Sequence, residues 1–275
     1  MLHEPTPPIR LQRVRGAAHV ALAVARGRTR LRALRQEGSA KAFLPSVHGD
    51  VPEVVFLNTA GGLTGGDRLA FALDLGPGAA AVATTQTAER AYASPGGTAR
   101  LGVTMRVGAG GRLDWLPQET ILYDAAALSR ETEIALAGDA ACLLAETVVL
   151  GRAAMGETVA RLGFRDARLV RRDGRAVHEE RVRLDAAALA AAPGAAVLGG
   201  ARAFATVALV EAGAEDAVGR ARAALGQEGV VAAASGWGGR LVVRIAGNDG
   251  WPVRRQLARV LAALRDRPLP RVWQI

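Results

Sequence analysis

Three stretches of the 275-residue chain gather the groups that chemistry uses: carboxylates, hydroxyls and freely turning backbone. The first is Asn58-Thr59-Ala60-Gly61-Gly62-Leu63-Thr64-Gly65-Gly66-Asp67. Four glycines in ten residues let the backbone take left-handed turns or approach another segment closely, the property on which a phosphate cradle depends. A P-loop needs a Lys-Ser/Thr pair after its last glycine, and a dinucleotide fold needs a helix there. Here Gly66 leads instead to Asp67-Arg68 and an alternating strand, and the Asp67 carboxylate repels phosphate. A rigid turn in which Asp67 fixes backbone amides is the simpler reading.

The second stretch, Thr84-Thr85-Gln86-Thr87-Ala88-Glu89-Arg90, closes an apolar run and reads as a hydroxyl ladder in a sheet or a polar lining. A threonine nucleophile requires a neighbouring base or a free amine, and neither adjoins. In the third, Asp114, Glu119 and Asp124 surround Trp115, Pro117 and Gln118. Such carboxylates suit a glycosidase pair or an oxygen-ligand metal site, but their spacing matches no catalytic rule, and ion pairs with arginine explain them equally. His3, His19 and His48 stand apart, whereas His178 and Glu180 fall on one face of an extended strand, roughly 7 Å apart, close enough to hold a divalent ion transiently. Neither a Gly-x-Ser-x-Gly elbow nor a His-Glu-x-x-His helix is present. The lone Cys142 excludes an intrachain disulfide and sits among Ala141, Leu143 and Leu144 as a small hydrophobe.

The elements that must position these groups are mainly strands. Ala17–Ala25 and Thr29–Arg35 flank a hairpin at Arg26-Gly27-Arg28, and Asp173-Gly174 is a second hairpin signal. Leu69, Phe71, Leu73 and Leu75 alternate with polar or small residues, as do Leu101, Val103, Met105 and Val107. Cys142 to Leu150 is apolar throughout enough of its length to be an interior strand. Turn signals follow at Gly76-Pro77-Gly78, Ser94-Pro95-Gly96-Gly97 and Gly108–Gly111, with no helical period between them. These observations predict a mainly β fold: a single domain of layered, largely antiparallel sheets over 17–275, preceded by a loose segment 1–16. About two α-helices are expected near the C-terminus, over Glu215–Leu225 and along the stripe Val253, Leu257, Val260, Leu261, Leu264.

Half of the residues are hydrophobic, and the formal charge is +9. Among 35 basic residues only Lys41 is lysine, and the arginines are scattered rather than gathered into a phosphate-binding patch. A basic surface for an acidic protein partner is the better use of that charge, with no nucleic acid and no membrane as partners. The polar, proline-containing start and the absence of a long apolar run lead to the expectation of a cytoplasmic protein.

Taken together and in order, the three stretches resemble the urease accessory protein UreD family, also called UreH. Leu150-Gly151-Arg152-Ala153-Ala154-Met155-Gly156-Glu157, Arg172-Asp173-Gly174 and Pro270-Arg271-Val272-Trp273 fit the same pattern. The residues that carry it most densely are Gly61, Gly62, Gly65, Gly66 and Asp67, then Thr84, Thr85, Gln86, Glu89 and Arg90, then Asp114, Trp115, Pro117, Gln118 and Glu119. The resemblance implies a β-rich, non-enzymatic scaffold for nickel insertion into apo-urease. It would bind apo-urease and UreF, which in turn recruits the GTPase UreG. It implies no tightly bound cofactor and a transient passage of nickel. A transfer path needs weak successive ligands, for which Asp67, Glu119, Glu157, His178 and Glu180 are the candidates. The late helices and the C-terminus are the candidate contacts for UreF. The competing readings are a hydrolase using the carboxylates of 114–124 and a basic nucleic-acid binder.

Overall fold

A computed structural model describes residues 12–46 and 49–274. The path begins with β1 (Arg15–Ala25) and β2 (Arg28–Gly38), antiparallel neighbours whose connection carries positive φ at Arg26 (52°) and Gly27 (73°). It crosses to a second sheet for β3 (Ala40–Phe43) and β4 (Glu53–Asn58), and returns for β5 (Arg68–Leu75). It crosses again for β6 (Ala80–Thr85) and β7 (Glu89–Ala91), returns for β8 (Ala99–Val107), and crosses for β9 (Arg112–Trp115) and β10 (Thr120–Leu122). β11 (Ala126–Leu136) returns, β12 (Ala141–Leu150) crosses, and β13 (Leu162–Arg172) with β14 (Arg175–Asp185) ends the first sheet. After the short α1 (Ala186–Ala190) come β15 (Ala203–Val210), α2 (Val218–Ala223), β16 (Val230–Trp237), β17 (Arg240–Gly247) and α3 (Gly250–Leu264).

The result is a seven-stranded sheet ordered β14-β13-β11-β8-β5-β1-β2, facing a ten-stranded one ordered β16-β17-β15-β12-β9-β6-β4-β3, with β10 joined to β12 and β7. The expected largely antiparallel pairing is wrong. β1, β5, β8, β11 and β13 run parallel, as do β4, β6, β9 and β12. The chain is a β-solenoid-like coil with antiparallel strands at its flanks, and the described residues form three α-helices rather than two. The physical reason lies in the turns. A hairpin lays a strand beside its predecessor, whereas Gly76–Gly78 and Gly108–Gly111 carry the chain between sheets, so the next strand of each sheet arrives one coil later in the same direction. Turn residues specify a reversal but not its plane. The tight hairpins, at Arg26-Gly27, Asp173-Gly174 and Gly238-Gly239, have two-residue connections in which both residues take positive φ.

Of the segment 1–16 expected to be loose, residues 1–11 lie outside the described residues, as do His3 and His48, while Arg15 and Gly16 open β1.

Coiling stacks like on like. Leu69, Phe71, Leu73 and Leu75 of β5 lie in register with Leu101, Val103, Met105 and Val107 of β8, all buried between the sheets. Phe56 stacks on Phe71 at 4.9 Å and meets Trp115 edge-on at 6.3 Å. Each such side chain contributes about 2 kcal/mol by leaving water. A second core lies on the outer face of the ten-stranded sheet, where Val207, Leu241 and Val243 meet Val253, Leu257, Val260 and Leu261 of α3. Asp249 caps that helix, its side chain accepting from the Trp251 amide at 2.7 Å.

Candidate functional site at one end of the coil

Because β4, β6 and β9 are parallel neighbours, whatever follows each of them emerges at the same end of the sheet. The three stretches that carry the chemistry are these exits, and they are bonded to one another. The Thr84 hydroxyl donates to the Leu116 carbonyl at 2.6 Å, and the Gln118 amide donates to Thr85 Oγ1 at 2.9 Å. The Glu89 amide reaches the Glu119 carbonyl at 3.0 Å, the Leu63 amide the Arg90 carbonyl at 2.8 Å, and the Gln86 amide the Phe56 carbonyl at 2.8 Å.

Asp67 is buried, and both of its oxygens accept backbone amides, Oδ1 from Val14 and Oδ2 from Thr64, each at 2.8 Å. It ties the glycine loop to the approach to β1. The loop is dense around Gly65, where an added Cβ would lie 2.0 Å from Ser94 Oγ and 2.3 Å from the Gly96 carbonyl. Gly62 is equally closed in, with Tyr92 2.3 Å from such a Cβ. At the middle of the stacked exits, Glu89 accepts from Asn58 Nδ2 at 3.3 Å beside a cavity of about 30 Å³ lined by Asn58, Gly61, Phe71 and Thr85. Burial pushes its carboxyl up to about 7, against smaller lowering effects of Asn58 and Arg90.

The third stretch is fastened to the C-terminal region. Asp114 meets Arg265 at 2.7 Å, both buried, and Arg112 at 3.6 Å. Arg254 bonds Gln118 Oε1 at 2.5 Å and Glu119 at 3.1 Å, and stacks over Trp273 at 4.8 Å. Trp273 Nε1 donates to the Leu116 carbonyl at 3.0 Å. Asp124 accepts the amides of Ala160 and Arg161 at 2.9 and 2.8 Å, and these bonds with the Arg161 guanidinium hold its carboxyl down at about 2. Glu157 accepts the Asp124 amide at 3.1 Å and Arg152 Nε at 2.8 Å, contacts that keep it ionised below the ordinary carboxylate range. Burial raises the Cys142 thiol to about 12, so it is no thiolate at neutral pH.

His178 and Glu180 share the inner face of β14. His178 is buried, its Nε2 has no hydrogen-bond partner among the described residues, and desolvation lowers its pKa, which favours the neutral imidazole. Glu180 lies 3.3 Å from Arg168 and 3.1 Å from Arg244. From it a chain of buried charges runs between the sheets that the sequence reading did not single out. Arg168 meets Asp166 at 3.2 Å, and Asp166 takes a two-pronged bond from Arg130 at 2.8 and 2.9 Å. Arg130 also meets Glu146 at 2.6 Å and Thr120 at 2.9 Å, and Trp115 Nε1 donates to Glu146 at 3.0 Å. Burial pushes Glu146 up, whereas for Asp166 the same burial is overridden by the two guanidiniums, which hold it low. Residue parity was the available signal. Arg130 lies two residues from Leu128 and four from Ile134 on β11, so it must point inward with them.

The five residues proposed for an ion path do not converge: Asp67, Glu119 and Glu157 are bonded at separate places, and only His178 and Glu180 lie on one face. Among the described residues no group of three or more His, Cys, Asp or Glu is arranged to hold a metal ion. No helix among them is long and apolar enough to cross a membrane.

Residues 14–274 match the family model for the UreD urease accessory protein. The chain is 63% identical over 270 residues to a urease accessory protein UreD of Cereibacter sphaeroides (strain ATCC 17025 / ATH 2.4.3), covering 98% of each chain. It is 53% identical over 268 residues to that of Paracoccus denitrificans (strain Pd 1222), covering 98% of this chain and 95% of the other. With that of Rhizobium leguminosarum bv. viciae the identity is 46% over 267 residues and 97% of each chain.

Proposed function

Because the chain belongs to the UreD family of urease accessory proteins, we propose that it serves urease maturation as a non-enzymatic scaffold. In this reading it holds apo-urease and UreF together, brings in the GTPase UreG through UreF, and takes part in nickel insertion. The observation that carries the reading is how fully the acidic groups around the stacked exits are committed to this chain. Asp67, Asp124 and Glu157 spend their oxygens on its amides and guanidiniums and Asp114 is paired with Arg265, which gives a fixed surface rather than a pair of carboxylates poised on a substrate. The glycine loop lacks the lysine and helix of a nucleotide site, so GTP hydrolysis belongs to the partner.

Nickel is cargo here, with no tightly bound cofactor. Of the path candidates, His178 and Glu180 suit it best, because a neutral imidazole with an open Nε2 beside a carboxylate gives weak, exchangeable ligation. Asp67, Glu119 and Glu157 would serve by shaping the loops. The apolar stripe of α3 is consumed by the second core, so its contact with UreF falls on the exposed face of Trp251, Arg255 and Arg259.

Co-expression with UreF, UreG and the apo-urease subunits, followed by affinity purification on this chain, tests the scaffold. All are expected to co-purify, and recovery of none would end the reading. His178→Ala is expected to leave the assembly intact and to lower the nickel delivered to urease several-fold; unchanged delivery would remove His178 from the path.

A further inference from the structure

The two sheets differ in extent. The seven-stranded sheet stops at β14, and the ten-stranded sheet continues through β15 and β17 to β16. Glu180 of β14 contacts Thr206 of β15 at 3.3 Å and Arg244 of β17 at 3.1 Å, so β14 lies over β15 and β17. Among the described residues no strand lies above β16. The overhang is a groove of about 1120 Å³ whose lining includes Val182, Arg183, Phe204, Val231, Ala233 and Arg244.

The edges of the two sheets are treated differently. β2 carries Arg28, Arg30, Arg32 and Arg35 and is bulged against β1 near Ala21 and Leu22, two devices that block pairing with another chain. β16 reads Val-Val-Ala-Ala-Ala-Ser-Gly-Trp, without charge or proline, and its Val231 is 81% exposed. Arg222 bonds the Ala234 carbonyl at 3.1 Å and so closes the later half of that edge, but Val230 to Ala233, the half that lines the groove, is left open. An apolar floor without protection marks a surface that is covered in use.

We infer that this groove takes an extended, acidic segment of a partner protein, which lies beside β14 and covers β16 and β17. Small apolar side chains of the segment would face Val231 and Ala233 on the floor of the groove. Arg181, Arg183 and Arg244 rim the groove at 77%, 69% and 66% side-chain exposure. The present ion pairs of Arg181 with Glu179 and of Arg183 with Asp185 are of the solvent-screened kind that incoming carboxylates exchange with little cost, whereas Arg244 stays on the largely buried Glu180. The inference rests on the scaffold reading, since the partner is sought among the proteins of that assembly.

The test is a photoreactive benzoylphenylalanine replacing Val231, irradiated in the assembly purified with UreF, UreG and apo-urease, with the cross-linked peptide sequenced by mass spectrometry. Val231 is exposed, so its replacement is tolerated by the fold, and the same probe at Ala233 repeats the measurement. The expected product joins this chain to an acidic extended segment of a partner, and Arg183→Glu lowers its yield at least fivefold, while the probe at Leu31 gives none of it. A cross-link to a second copy of this chain, to a segment without carboxylates, or no cross-link within an assembly that forms, overturns the inference and leaves the scaffold standing. Failure of the unmodified chain to assemble overturns both.

Discussion

Asp67 has the side chain that the glycine loop was read around, and its surroundings define what a substitution does. Both oxygens of this buried side chain accept backbone amides, so Asp67→Asn turns one acceptor into a donor facing an N–H and is expected to destabilise the fold by about 2 kcal/mol in urea unfolding. No measurable loss would mean that the loop is held by other contacts. Glu89 tests the electrostatics. Its folded pKa of about 7 lies above the ordinary 4.5, so the fold holds a proton that the unfolded chain has released. The resulting stabilisation is complete below about pH 4.5 and is lost as pH rises through 7, up to about 3 kcal/mol in all. Wild type should therefore weaken relative to Glu89→Gln between pH 5 and pH 8, and a constant difference would contradict the burial of that carboxyl.

At the scale of elements, identical letters in the glycine loop have unequal roles. Gly61 has φ 77° with nothing within 4 Å of an added Cβ, so Gly61→Ala carries the left-handed cost alone, about 1 kcal/mol. Gly65→Ala must displace Ser94 and the Gly96 carbonyl, and is expected to cost more than about 3 kcal/mol, read as a fall in Tm several times larger. Equal shifts would contradict the packing of this loop on the turn at 94–97. Strand alternation, the hairpins at 26–27 and 173–174 and the late helix were legible because each is a local pattern: Leu69 to Leu75, Asp173-Gly174, Val253 to Leu264. The pairing sense was not, because Gly76–Gly78 encodes a reversal without saying whether the chain stays in its sheet. β15 and β16 were also missed, since three alanines in each dilute the β-branched and aromatic residues that mark strands, Phe204 and Val207 in the first and Val230 and Trp237 in the second.

For the whole molecule, coiling makes distant stretches adjacent. Asn58 to Asp67, Thr84 to Arg90 and Asp114 to Thr120 could each be found in the sequence, but their contact is a product of parallel coils one turn apart. The same coiling aligns the charges of Arg130, Glu146, Asp166 and Arg168 between the sheets, where the partner of each lies on a strand distant in sequence. Arg130→Met leaves Glu146 without its direct cation and Asp166 with Arg168 alone, and is expected to cost about 3–5 kcal/mol, with Arg130→Met combined with Asp166→Leu recovering part of it. A small loss in the single variant would mean that water reaches the interior. The proposed role of this coil, a scaffold through which urease acquires its metal, is tested by metal analysis of urease. Apo-urease is incubated with UreF, UreG, GTP and nickel, with and without this chain, then re-isolated. Nickel bound to urease in proportion to its activity only when the chain is present is the result expected; equal nickel and equal activity without it would contradict the account.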